Sequence, residues 1–297
     1  MSVHPRVGVV GLGRMGAGIA RVLDEAGLLH AVRDLDRTAT AAFGEARGRP
    51  EALHACDVLL FATPTTADIE TVLDVEPDLL QAVDEGRVLV DLTTSHPRDG
   101  RRLAARVAAR GAGYLDAAMT GGAAAASSGT LTLMVGGEAA ILERARPALD
   151  PIARTIVHVG PVGAGQTMKL VHNMICHTIF LATAEGCRAA ERAGIPLETA
   201  LAVINAGNAR SFVSERRFPD HVLSGRFDGR SRVANLDKDL AMGADLIGEG
   251  GRAAPYARLA TALLSAAREQ GMAEEDFTRL YPHYDALAAA LEDEPER

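Results

Sequence analysis

The sequence predicts an α/β chain in which a doubly wound parallel sheet, residues 1–162, precedes an all-α domain, residues 163–297. Two observations predict it. Over the first half, short runs of β-type apolar residues alternate with helical periodicity, as strands joined by crossover helices do. After Gly160-Pro161-Val162-Gly163 the strand signal stops, and one mostly apolar helical pattern runs over 164–193 until Gly194 and Pro196 end it.

Taken in order, Val7–Val10 is the first strand, leading into a helix with Ile19, Val22, Leu23 and Ala26 on one face that Gly27 ends. Further strands are expected at 31–33, 58–62, 88–91, 114–117, 131–135 and 156–159. In the second half, helices are expected over 197–205, 235–247 and 254–269, with 292–297 as a solvated tail. The opening helix is apolar on most sides and asks for burial all round, so a homodimer or homotetramer is expected.

Composition limits the function classes. With 297 residues, 47% of them apolar, the chain can fill substantial cores. Only 4% are aromatic and none is Trp, which suits packed helices and α/β layers better than a β-sandwich. A formal net charge of −8 gives no electrostatic reason to bind nucleic acid or an anionic membrane. Cys56, Cys176 and Cys187 are odd in number and widely spaced without a C-x-x-C pattern, which argues against a disulfide framework or a metal site and for the cytoplasm. The N-terminal stretch reads as a strand rather than a signal peptide, and the apolar stretch 171–184 is too short to span a bilayer.

Gly11-Leu12-Gly13-Arg14-Met15-Gly16 is a G-x-G-x-x-G motif between a predicted strand and a predicted helix, the Rossmann-type context that binds a dinucleotide. The first glycine permits the tight turn, the second admits the pyrophosphate, and the third allows close packing, while the helix N-terminus offers N–H groups to phosphate. Asp34 ends the second strand 23 positions beyond Gly11, where a carboxylate accepts from the ribose 2′-OH and repels a 2′-phosphate. NAD is therefore expected, with NADP possible because Arg33 and Arg37 flank the acid.

Of the 31 lysine and arginine residues only two, Lys169 and Lys238, are lysine. Arginine holds its proton too tightly for exchange near neutral pH, whereas a desolvated lysine can be tuned, so both are candidates for proton transfer. Lys169 opens the long apolar helix, where the macrodipole and apolar surroundings both favour the neutral amine, and Asn173 shares its face one turn on. Lys238 lies between Asp237 and Asp239, a setting that better suits an exposed, charge-compensated lysine.

With these residues in place the chain resembles the β-hydroxyacid dehydrogenases, the family of 3-hydroxyisobutyrate dehydrogenase and tartronate semialdehyde reductase. The resemblance rests on Gly11 to Gly16, on Asp116-Ala117-Ala118-Met119-Thr120-Gly121-Gly122, on Gly163 to Asn173, and on Lys238-Asp239-Leu240. It implies that Lys169 gives or takes the hydroxyl proton, that Asn173 orients the substrate, and that Thr120, Gly121 and Gly122 bind its carboxylate. It also implies that Thr63, Pro64, Asp68 and Thr94 lie along the cofactor, that Lys238 lies near nicotinamide and substrate, and that Arg210 and Ser211 close the pocket. The expected reaction moves a hydride between NAD and a small 3-hydroxy acid or its semialdehyde. Tartronate, glyoxylate or succinic semialdehyde reduction and threonate-type oxidation are the alternatives.

The family usually carries Pro, Val and Ser where this chain has Ala118, Met119 and Thr120, and Asn where it has His172. Threonine keeps the hydroxyl, while its methyl and the bulkier Met119 reshape the pocket. His172 and His177 read as packed or solvated histidines. A short-chain dehydrogenase would need Tyr four residues before lysine, which neither lysine has. A non-catalytic NAD sensor would need neither Lys169 nor Asn173.

Overall fold

The structure, a computed structural model, describes residues 4–75 and 86–292. The predicted tail lies outside the described residues, except for Glu292, which closes the last helix. The chain divides between Lys169 and Leu170 into two compact units.

The first unit is built on seven described strands: β1 Val7–Val10, β2 Leu29–Arg33, β3 Val58–Phe61, β4 Val88–Asp91, β5 Gly113–Thr120, β6 Leu131–Gly136 and β7 Ala153–Gly160. Their order is β2-β1-β3-β4-β5-β6-β7. The order reverses at β1, so the turns leaving β1 and β3 flank the switch point, where open α/β sheets bind ligands. Strands β1, β3 and β4 are buried at every position, as strands covered on both faces must be. Alternate residues serve opposite layers. Val7, Val9, Val58, Leu60, Val88 and Val90 enter one core, while Val10, Leu59, Phe61 and Leu89 enter the other.

The sheet is mostly parallel, as expected, with one departure: β5 and β6 pair antiparallel, whereas every other described pair is parallel. The connection from Thr120 to Leu131 contains only the short helix Gly122–Ser127. A parallel crossover needs a dozen or more residues, so this shorter link turns the chain back on itself.

In the second unit the helices are Ala164–Arg192, which begins in the first unit, Leu197–Ala206, Val213–Leu223, Val233–Gly248, Pro255–Glu269 and Leu280–Glu292. Val213–Leu223 winds as a π-helix that accommodates Pro219. The scarce aromatics concentrate here. Phe180 packs on Phe277 with ring centroids 5.0 Å apart, and Phe218 on Tyr281 at 5.2 Å, both near edge-to-face. None of the described helices is long and apolar enough to cross a membrane.

Candidate active site

The candidate dinucleotide cradle contains three glycines with different reasons to lack a side chain. Gly11 leaves β1 with φ +89°, and a Cβ there would lie 2.8 Å from the Ala62 carbonyl oxygen at the end of β3. A Cβ at Gly16 would overlap the Gly11 carbonyl oxygen, so the turn closes only with glycine. Gly13 is different: a Cβ there would meet nothing within 4 Å. The protein leaves space beside Gly13, next to a helix start whose cap residue Met15 supplies no side-chain acceptor. A pyrophosphate fits that space and those donors.

Asp34 stands just beyond β2. One carboxylate oxygen accepts the Leu12 N–H and the other accepts the Asp36 N–H at 2.8 Å, which ties the acid to the Gly-rich loop. Arg33 donates to the Asp34 carbonyl oxygen at 2.6 Å. Asp34 is only partly buried, and its carboxylate keeps acceptor capacity for a ribose hydroxyl.

The loop after β3 contains Thr63, Pro64 and Asp68. Thr63 Oγ1 donates to the Thr65 carbonyl at 3.1 Å, while Asp68 accepts from the Thr65 N–H at 2.8 Å and hydroxyl at 2.7 Å. Thr65 and Asp68 thus form a capping box that starts the helix Thr66–Val75. Asp68 serves the loop's own shape.

A buried carboxylate organises the neighbouring loops. Asp91, at the end of β4, accepts from Thr93 N–H at 2.9 Å, Thr93 Oγ1 at 2.6 Å, Thr66 Oγ1 at 2.7 Å, Tyr114 OH at 2.8 Å and Gln166 Nε2 at 3.1 Å. Ser95 Oγ accepts the Thr66 N–H. Thr94 therefore sits partly exposed between buried Thr93 and Ser95, so its backbone position is set by bonds on either side. Burial raises the Tyr114 hydroxyl pKa well above its ordinary value, helped by Asp91.

Asp116 does the corresponding work on β5. Its two oxygens accept the N–H groups of Gly163 at 2.8 Å and Gln166 at 2.9 Å, capping the helix that carries Lys169. Gly165 lets that helix approach the sheet, since a Cβ there would run into the Met134 and Asp116 carbonyl oxygens. Lys169 is partly buried, five positions into the helix. It therefore lies in the second turn rather than the first, where the macrodipole acts more weakly than the sequence reading assumed.

Burial pushes the Asp116 carboxyl up to about 6, with the two helix N–H bonds pulling the other way. The folded state then holds this proton more tightly than the unfolded chain, so the contribution is intact below about pH 4 and declines as pH rises through about 6, by up to about 3 kcal/mol. In chemical denaturation, Asp116→Asn should gain stability relative to the wild type as pH rises across that window. A difference that stays flat with pH would show that the N–H bonds cancel the effect of burial.

Beyond Asp116 the same strand ends at Thr120, and Gly121 and Gly122 turn with φ +120° and +71°. A Cβ on Gly121 would crowd Ala125 Cβ at 2.6 Å, whereas one on Gly122 would meet nothing within 4 Å. Gly18, on the helix after the Gly-rich loop, packs against Ser127 of the helix after this turn.

In the second unit Asn173, Lys238 and Asp239 come together. Asn173 Nδ2 donates to Asp239 Oδ2 at 2.7 Å, and Lys238 Nζ lies 3.3 Å from Asp239 Oδ1. Lys238 is thus ion-paired to a largely buried carboxylate rather than standing as a freely solvated lysine. Arg210 and Ser211 serve another element. Ser211 exchanges bonds with Ser214 at the start of Val213–Leu223, and Arg210 makes an exposed ion pair with Glu215 at 3.6 Å. His177 packs edge-on to Phe277, as a packed histidine should.

Sequence reasoning assigned no role to Asp91, Thr66 or Gln166, used Asp116 only as a motif letter and took Asp239 only as a motif letter and a charge beside Lys238. The signal was present for two of them, since Asp91 and Asp116 are carboxylates within otherwise apolar strand runs.

Comparison with known proteins extends this picture. A family model describing the NAD-binding domain of 6-phosphogluconate dehydrogenase matches residues 6–160, and one describing the NAD-binding of NADP-dependent 3-hydroxyisobutyrate dehydrogenase matches residues 163–284. An NAD-dependent L-serine dehydrogenase of Pseudomonas aeruginosa is 30% identical over 94% of this chain and 98% of its own. An L-threonate dehydrogenase of Escherichia coli is 31% identical over 91% of each. The solved structure of Mycobacterium tuberculosis 3-hydroxyisobutyrate dehydrogenase with L-serine superposes with a TM-score of 0.84 at 30% identity, covering 95% of this chain and 99% of that one.

Proposed function

The chain belongs to the β-hydroxyacid dehydrogenase family, and on that premise we propose that it moves a hydride between NAD(H) and a small 3-hydroxy acid or its semialdehyde, with Lys169 as general acid and base. The observation that carries this reading is the placement of Lys169. It rides on a helix whose first turn is pinned by Asp116 to the strand ending in Thr120, Gly121 and Gly122, and it lies one turn before Asn173. A proton-transfer group is thereby tied to a turn suited to a carboxylate.

When bound, the nicotinamide supplies a hydride acceptor, or donor in reverse, at its C4. Gly11, Gly13 and Gly16 with the helix start hold the pyrophosphate, Leu12, Arg14 and Met15 supply the loop's backbone, and Asp34 takes the ribose. Thr63, Pro64, Asp68 and Thr94 line the cofactor from their loops. Thr120 Oγ1 and the Gly121 and Gly122 N–H groups hold the substrate carboxylate, Asn173 orients the hydroxyl, and Lys169 accepts its proton as the carbon gives up hydride. Lys238 places positive charge near the substrate, and Arg210 and Ser211 border the pocket.

Substrates such as L-serine and L-threonate join 3-hydroxyisobutyrate as candidates, because relatives bear their names. Screening these acids with NAD, and semialdehydes and glyoxylate with NADH, tests the reading; no turnover despite NADH binding would favour a sensor. The cytoplasm fits the odd number and wide spacing of Cys56, Cys176 and Cys187, and a homodimer or homotetramer fits the apolar helix Ala164–Arg192.

Cofactor preference gives a sharper test. Asp34→Asn removes the charge that repels a 2′-phosphate, and the ratio of kcat/KM with NADP to that with NAD should rise by about tenfold or more. An unchanged ratio would remove Asp34 from the ribose site.

A further inference from the structure

Asn173 is held at both ends of its carboxamide. Its Nδ2 donates to Asp239 Oδ2 at 2.7 Å, and its Oδ1 lies 3.1 Å from Nδ1 of the partly buried His172, the residue before it on the helix. The donor and acceptor roles along this chain follow from chemistry. A carboxylate beside an ammonium group only accepts, so the amide nitrogen must face Asp239. The amide oxygen then faces His172, and an amide oxygen also only accepts. Ring atom Nδ1 must therefore carry a proton. Rotating the amide by half a turn would set its oxygen against the carboxylate, so only one orientation satisfies both contacts.

We infer that His172 is a positioning residue, donating from Nδ1–H to Asn173 Oδ1 and, together with Asp239, fixing which edge of the Asn173 carboxamide the substrate meets. The inference rests on the proposed role of Asn173 in orienting the substrate. Each neighbour engages one end of the amide, leaving one N–H hydrogen and one oxygen lone pair for a ligand. Without the histidine donor the amide is held at one end only, and a substrate loses part of the preorganised contact. An asparagine at 172, the residue usual in the family this chain resembles, places an amide N–H donor where Nδ1 stands. It can do the same work.

Two measurements test this. With 15N-labelled histidine, two-bond proton–nitrogen correlation reads the tautomer of His172, assigned by its loss in His172→Asn. Above the pH of ring titration the expected pattern is protonated Nδ1 and unprotonated Nε2, and an unprotonated Nδ1 overturns the inference. In kinetics with an accepted hydroxy acid, His172→Leu should lower kcat/KM about tenfold with NADH affinity unchanged, while His172→Asn stays within about twofold of the wild type. A leucine variant equal to the wild type, or an asparagine variant as impaired as leucine, overturns it as well. Should the functional reading fail, no variant will turn over any acid, yet the Nδ1–H pattern will still decide the geometry.

Discussion

Lys169→Ala is expected to lower kcat by about 10³-fold while leaving the Kd for NADH within about threefold. The two effects separate because the residues differ in what they touch. The proposed dinucleotide cradle is the turn after β1, with Asp34 bonded back to the Leu12 N–H, and none of those bonds involves Lys169. The proton, by contrast, has to leave the hydroxyl as the hydride leaves its carbon, and without a base an alkoxide would form unaided. Lys169→Arg should fail almost as badly, since a guanidinium keeps the charge yet does not give up its proton near neutral pH. Steady-state kinetics with fluorescence titration of NADH checks both variants. If Lys169→Ala kept wild-type turnover, Lys169 would have no place in the chemistry.

Gly16→Ala is expected to weaken NADH binding by more than about 100-fold and to lower stability by roughly 1–3 kcal/mol. The added methyl would overlap the Gly11 carbonyl oxygen and lie 3.1 Å from Ala62 Cβ, so the helix Gly16–Glu25 would have to back away from β1 and β3. Its N–H groups would move with it. Gly13→Ala separates packing from ligand space, because a methyl at Gly13 meets no protein atom within 4 Å. That variant should keep its unfolding midpoint and still bind NADH poorly. Equal NADH affinity in Gly13→Ala and the wild type would show that the pyrophosphate does not approach this turn.

What could be read from the sequence was local. Strands β1, β3 and β4 announced themselves because burial on both faces demands near-continuous apolar runs, broken in β4 only by Asp91, and the Gly-rich turn and Asp34 carry their meaning in spacing alone. Strand direction was not legible, since the same alternation serves either direction and only the short link from Thr120 to Leu131 sets β6 antiparallel. The helices Val213–Leu223 and Leu280–Glu292 also went unread, with Pro219 and Pro282 breaking the usual helical signal. The Thr65–Asp68 capping box was legible in Thr65-x-x-Asp68, since both of its partners are local in sequence. The Asp91 and Asp116 networks could not be foreseen, because Gln166 reaches Asp91 across 75 positions and donates its N–H to Asp116 across 50. Only the folded chain makes them neighbours.

The most direct test uses hydroxy acids deuterated on the carbinol carbon, supplied with NAD to the intact protein, with the isolated reduced cofactor examined for label. The account predicts that at least one small 3-hydroxy acid delivers its deuterium to C4 of the nicotinamide, with a slowed rate, and that Lys169→Ala abolishes the transfer. Tight NADH binding with no label transferred from any acid of the panel would contradict it.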